Sequence, residues 1–404
     1  MSSITDPDTG SFRLSMLIND TRYRSLTFQA IAAVILALSF AYLGNNLIQN
    51  LRQAGLNISY DFLGAPSGYD INQTLIEYDS RSTHSRAAIV GILNTLLVAF
   101  LACLTATIFG VLAGVLRLSN NWLVSKLMAF YVEIFRNIPV LIWIIIIFTI
   151  MTAVMPAPRA FRGDEPEATM LFGAFAFTNR GIYIPAPVWG PGSIVVVLTF
   201  IASIVGIFVY RRHATKTLYE TGRLLPTFWP SVALLFIPVI LMQLILGRPV
   251  GLDYPVLGGF NFSGGLQIGA PLIALWFALS IYTGAFIAEN VRAGIQAVSK
   301  GQTEAAGALG LRPGRIMSLV VLPQALRVII PPLISQYLNI TKNSSLAIAV
   351  GYADVTATLG GITLNQTGRA IECVLLLMLF YLTISLTISA VMNVYNNSVK
   401  LKER

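Results

Sequence analysis

The side chains that do acid–base, nucleophilic or metal chemistry are few and scattered in this chain of 404 residues. Its two histidines, His84 and His213, lie in separate polar segments, and its two cysteines, Cys103 and Cys373, sit far apart inside apolar runs. Neither spacing suits a zinc site or a disulfide framework, and buried thiols of this kind act as small apolar fillers. No G-x-x-x-x-G-K-[ST] segment occurs, so the chain has no phosphate loop of its own. A membrane-embedded enzyme would need His, Asp or Glu clustered at one depth, and no such cluster is present. We expect no catalytic residue, no metal site and no cofactor in this chain.

The most specific pattern is Gly301-Gln302-Thr303-Glu304-Ala305-Ala306-Gly307-Ala308-Leu309-Gly310-Leu311-Arg312-Pro313, which continues to Val320-Val321-Leu322-Pro323. It reads as a short surface helix. Ser299 and Gln302 have the spacing of a capping box. Gly310 supplies a left-handed stop, and Pro313 follows where a helix cannot continue. Ala305, Ala306 and Gly307 form a face almost without side chains, which lets another protein approach closely.

Glu304-Ala305-Ala306, with Gly310 and the later Val320-Val321-Leu322-Pro323, resembles the EAA loop of ABC-importer permeases; Val320 replaces the commoner Ile. The flanks resemble the polar-amino-acid branch of that family: Tyr131-Val132-Glu133-Ile134-Phe135-Arg136-Asn137-Ile138-Pro139-Val140, the run from Tyr282 to Ile295, Pro323-Gln324-Ala325-Leu326-Arg327, and Lys342-Asn343-Ser344-Ser345-Leu346. The likeness covers residues 87–155 and 270–395, and a chain of this size looks most like the larger permease subunits of general L-amino-acid importers. It implies a type I importer core of five helices and a coupling role for Ser299, Gln302, Glu304, Ala305, Ala306, Leu309 and Gly310. It also implies separate ABC ATPase subunits that bind ATP and Mg²⁺, a second permease in a heterodimer, a periplasmic amino-acid-binding protein, and a bacterial inner-membrane location.

Two i, i+3 charge pairs stand near this loop. Glu133 with Arg136, and Glu289 with Arg292, could each pair on one helix face and brace the coupling helix or gate the core. Ser335, Gln336 and Asn339 are polar within a span that also contains Pro331 and Pro332. Broken helices with polar side chains often mark a midplane substrate site, and the amides of Gln336 and Asn339 could hold an amino acid backbone. Gly110 and Gly114 form a small-xxx-small pattern suited to close helix packing in lipid.

The elements that must position these residues are apolar. Hydrophobic residues make up 55% of the chain and charged residues only 11%, with a mean hydropathy of +0.71. A soluble domain is charged at roughly a quarter of its residues. Stretches near 27–49, 88–116, 128–155, 192–210, 228–247, 270–289 and 372–395 are each long enough to cross a bilayer. A weaker eighth, near 323–340, is interrupted by Arg327, Pro331 and Pro332.

We therefore expect an all-α membrane protein of about eight spans, with an extra N-terminal helix and an inserted hairpin beside the core. With the N-terminus inside, 18 of the 27 Lys and Arg residues fall on the inner side and only 8 of the 18 acidic ones. That is the positive-inside pattern, with both termini cytoplasmic and membrane lipid, not nucleic acid, explaining the net charge of +9.

The expected segments are a cytoplasmic N-terminus (1–24), the extra helix and a periplasmic loop (25–86), and the first part of the core (87–155). A loop and inserted hairpin (156–269) follow, then the second part of the core (270–395) with the coupling loop at 299–323, and a basic tail (396–404). The spans hold almost no ionisable residue away from their ends. That argues against the rival reading, an ion-coupled secondary amino acid transporter.

Overall fold

The computed structural model describes Ile18 and residues 21–399, apart from 54, 56 and 164. The basic tail residues Lys400, Lys402 and Arg404, the acidic residue Asp164 and most of the 1–24 segment lie outside the described residues. Two units are distinguished, Met1–Asp61 and Phe62–Arg404. In the first, α1 (Thr21–Gln53) includes a 31-residue stretch of spanning character, none of whose most apolar window is buried. A helix apolar on all sides is suited to lipid.

The second unit is built around two parallel helices, α2 (His84–Leu116) and α7 (Ala270–Gln296). Gly110 and Gly114 lie where α7 comes closest: a Cβ on Gly110 would stand 2.5 Å from Ile287 Cβ, and one on Gly114 would stand 2.7 Å from the Ala288 carbonyl. Only glycine permits that separation, so the small-xxx-small spacing is used for packing. Higher on the same seam, Thr105 and Ser280 hydroxyls meet at 2.5 Å, and Trp276 Nε1 donates to Thr105 at 3.1 Å. In lipid, such close packing and interhelical hydrogen bonds hold helices together, because apolar burial alone gives little preference over the acyl chains.

α3 (Trp122–Asn137) and α4 (Val140–Val154) follow α2. They cover the expected span at 128–155 as two helices that meet at a bend of 104°. Pro139 causes it: Ile138, the residue before proline, is held extended at φ −103° and ψ 130°. Among the described residues, seven helices are long and apolar enough to cross a membrane, or eight if this bent pair is one span.

The expected break at Pro331 and Pro332 is also displaced. α9 (Pro313–Ile316), a π-helical turn (Met317–Val321) and α10 (Leu322–Asn343) run on as one apolar stretch, with both prolines inside α10. The irregular backbone lies instead at the π turn and after α10, where a 3₁₀ turn (Ser344–Val350) and a π-helical stretch (Thr356–Thr363) lead to α11 (Leu364–Thr367) and α12 (Ala370–Val399).

The insert is not purely helical. α5 (Ser193–Thr221) and α6 (Phe228–Ile245) form the expected hairpin. Short strands flank it: β1 (Ala176–Thr178), β2 (Gly181–Ile184), β3 (Ala186–Trp189), β4 (Val250–Asp253), β5 (Val256–Leu257), β6 (Phe262–Ser263) and β7 (Leu266–Gly269). They pair antiparallel as β1-β2-β7, β3-β4 and β5-β6. The β2–β7 register, Ile182 opposite Ile268, and the β3–β4 pair join the segments before and after the hairpin. The loop expected at the start of the 156–269 segment therefore includes part of a small folded layer around buried Ala176, Tyr183 and Phe262.

Candidate functional site

The coupling loop is α8 (Lys300–Ala308), a nine-residue helix between α7 and α9. Ser299 occupies its N-cap without a side-chain hydrogen bond, so the expected capping box does not form. Gln302 N–H instead donates to the Ser299 carbonyl at 3.1 Å, an ordinary first-turn bond. The other end follows the sequence reading. Gly310 stands at φ +78°, its N–H donates to the Gly307 carbonyl, and Leu311 N–H reaches back to Ala306 at 3.3 Å. This is the paired bonding of a Schellman stop.

Ala306 is the helix's one buried residue. Gln302, Glu304, Ala305 and Gly307 are exposed, and Leu309 is 82% exposed. A short helix cannot hold its shape by propensity alone. α8 keeps its place because α7 precedes it and the Schellman stop at Gly310 and Leu311 closes its other end, while its outer face covers nothing among the described residues.

Beside it lies a charge cluster that differs from the two expected pairs. Glu289 does pair with Arg292, and Arg292 Nη1 also donates to Gln296 at 2.5 Å. Glu133 and Arg136 do not pair. Arg136 sits over the Phe286 ring at 5.2 Å, and Glu133 lies 3.8 Å from Arg117. Arg117, the C-cap residue of α2, also pairs with Glu289. The physical reason is burial. Glu133 is largely exposed, whereas Arg117 and Glu289 are mostly covered, so the strong attraction forms where water screens it least. Arg117 escaped the sequence reading because its partner lies 172 residues away.

Of the residues expected to meet substrate, Ser335 and Asn339 are exposed one helical turn apart on α10, and Gln336 is half-buried. Tyr337 between them donates to or accepts from Thr107 on α2 at 2.8 Å. At the opposite end of the α2–α7 pair from α8, Asn94 is fully buried, and its Nδ2 donates to the carbonyls of Gln73 and Ala353, both at 2.9 Å. Close by, Asp354 is also fully buried. Its Oδ1 accepts the Ala357 N–H at 2.8 Å, and its Oδ2 meets no donor among the described residues. Burial pushes this carboxyl up to about 6. The signal available in the sequence was one acid alone between two apolar stretches.

The comparisons with known proteins agree with this architecture. Residues 196–401 match the family described as "Binding-protein-dependent transport system inner membrane component". The chain is 51% identical to the glutamate/glutamine/aspartate/asparagine transport system permease protein BztB of Rhodobacter capsulatus, across 100% of both chains. It is 45% identical to the general L-amino acid transport system permease protein AapQ of Rhizobium johnstonii, covering 98% of this chain and 96% of that one. It is also 45% identical to the putative amino-acid ABC transporter permease protein YhdX of Escherichia coli, covering 94% and 95% respectively. With an exposed, Schellman-stopped helix between its spans and likeness along its whole length, the chain belongs to the family of binding-protein-dependent transport system inner membrane components, in its branch of amino acid ABC permeases.

Proposed function

We propose that this chain is one permease subunit of an importer driven by a separate ATPase, carrying L-amino acids across the bacterial inner membrane. The observation that carries the reading is α8: nine residues, one buried, with the small residues Ala305 and Gly307 exposed beside Gln302 and Glu304. Such a surface fits a groove on an ATP-hydrolysing subunit that holds ATP and Mg²⁺. The permease chain itself needs neither. The names of its relatives point to acidic amino acids and their amides, and to general L-amino acids, as cargo.

A second permease subunit completes the pathway, and a binding protein delivers substrate from outside. Both termini and α8 face the cytoplasm in this arrangement, as the distribution of Lys and Arg supports. Closure of the ATPase subunits pushes on Ser299–Leu309. The Arg117–Glu289–Arg292 cluster, at the same end of α2 and α7, passes that push into the helices that line the pathway. Ser335, Gln336 and Asn339 contact substrate or the second permease along the exposed face of α10.

The test is co-purification of the assembled complex carrying Glu304→Lys. Loss of the ATPase subunit from the complex, with the permease still folded, is the expected result. Retention of the ATPase with transport-coupled hydrolysis would remove α8 from the coupling role. Uptake by Gln336→Leu and Asn339→Leu complexes tests the α10 residues, and unchanged kinetics would exclude them.

A further inference from the structure

The inserted layer closes a cavity against the core at the end of the α2–α7 pair opposite α8. It holds about 460 Å³, within the range of small-molecule sites. Asn179, Arg180 and Gln267 line it from the insert; Thr152 at the end of α4 and Tyr352 line it from the core, and Asn72 lies between. Three features give this cavity a chemical preference.

The first is charge. Arg180 is the one charged side chain among the lining residues. Its Nη1 donates to the Phe260 carbonyl at 3.3 Å, and no carboxylate pairs with it among the described residues. The guanidinium is thus anchored at one nitrogen and keeps its other donors for a ligand. A planar fork of this kind binds carboxylates in two parallel hydrogen bonds.

The second is the start of α7. Gly269, Ala270 and Pro271 line the same cavity, and Gly269 is an N-cap without a side-chain bond. No acidic residue occupies the first turn, so the positive end of a 27-residue helix lies beside this space, with the Ala270 N–H bound to the Arg180 carbonyl at 3.2 Å. The third is the wall. Asn94, fully buried, ties Gln73 to Ala353, two lining residues, and Asn179 brings a carboxamide oxygen that meets no donor among the described residues. That oxygen is an acceptor available to an ammonium group.

A neighbouring cavity of about 600 Å³ shares Asn72, Gly351, Tyr352 and Ala353 and adds Asp70.

We infer that the insert builds an entry site for a free amino acid, in which Arg180 takes the carboxylate and the carboxamide of Asn179 faces the ammonium. The inference rests on the amino acid importer reading and deepens it by giving the inserted layer a share of substrate recognition.

The test uses the assembled complex, purified in detergent without the external binding protein, and tritiated L-glutamine as probe. Saturable binding is expected, weakened at least about tenfold by Arg180→Gln and less by Arg180→Lys, as loss of a charge-assisted bidentate contact requires. Asn72→Asp, a near-isosteric change that adds a negative charge to the wall, also weakens it. 4-Aminobutanamide, which is glutamine without its carboxylate, does not compete.

Absence of saturable binding, equal binding by Arg180→Gln, or competition by 4-aminobutanamide overturns the inference. So does an Arg180 effect confined to the concentration of binding protein needed for uptake, since that would make the surface a docking face. ATP-dependent uptake by wild-type complex in proteoliposomes is measured in parallel. Its absence for every amino acid defeats the importer reading itself, whereas its presence beside any overturning result defeats only the entry site.

Discussion

Arg117 at the end of α2 and Glu289 on α7 form an ion pair across the two central helices, and the same carboxylate also holds Arg292. Both members of the Arg117 pair are mostly covered, with side chains 17% and 23% exposed. Removing the shared carboxylate leaves Arg117 with only the longer contact to the exposed Glu133, at 3.8 Å, and Arg292 with only the neutral Gln296. We expect Glu289→Gln to cost about 2 kcal/mol, below the range for fully buried pairs because water still reaches the cluster. Thermal unfolding of the detergent-solubilised complex measures it. Glu133→Gln, at the exposed edge of the cluster, should fall within about 0.5 kcal/mol of wild type. Equal effects of the two would mean that the cluster is not organised around Glu289.

Gly110 has no room for a methyl group, because Ile287 Cβ and the Gly284 carbonyl stand 2.5 and 2.9 Å from where its Cβ would be. Gly110→Ala should therefore destabilise by about 1–3 kcal/mol through overpacking. Gly206 on α5 meets nothing within 4 Å, so Gly206→Ala serves as the matched control, and its helix should gain slightly. Unfolding midpoints that rank the two variants in the opposite order would refute the close α2–α7 approach.

A Cβ on Gly307 of α8 would likewise meet nothing within 4 Å beyond its own helix backbone. Gly307→Leu should leave the permease as stable as wild type, or slightly more so, since glycine costs about 1 kcal/mol in a helix interior. It should nonetheless abolish capture of the ATPase subunit, because the added side chain fills the docking face. Normal capture by a stable Gly307→Leu variant would place the contact elsewhere. Gly310→Val acts differently: at φ +78° a β-branched residue strains the Schellman stop, so stability of the loop and capture fall together.

Asp354 gives a pH dependence with a definite sign. Its carboxyl stands at about 6 in the folded protein against an ordinary 3.8. The folded state therefore binds the proton more tightly. That contribution to stability is fully present below about 3.8 and is lost as pH rises through about 6. Asp354→Asn removes the titration. The difference in unfolding temperature between Asp354→Asn and wild type should shift in favour of the variant between pH 5 and pH 8. A difference independent of pH over that interval would show that Asp354 does not titrate there.

What was legible in the sequence is what depends on neighbours along the chain. The length and apolarity of the spans, the left-handed stop at Gly310, the Glu289–Arg292 pair one turn apart and the close-packing spacing of Gly110 and Gly114 are all local patterns. The bend at Pro139 was written in the residue pair Ile138-Pro139, but the continuous apolar run on either side masked it. Pro331 and Pro332 misled in the other direction, since a helix whose freed carbonyls are accommodated can carry prolines through.

The sequence by itself determined that this chain spans a membrane, presents a small-faced helix between two spans and belongs among importer permeases, because composition, hydrophobic run length and a contiguous motif express those properties directly. Only the tertiary structure decided that Glu289 is shared between Arg117 and Arg292, that Asp354 is buried with one oxygen unpartnered, and that strands on both sides of the inserted hairpin pair to bring Arg180 against the start of α7. Those relationships join residues tens to hundreds of positions apart. They form because burial strengthens one charge pair over another and because unpaired backbone groups must find partners, and neither condition can be read before the chain is folded.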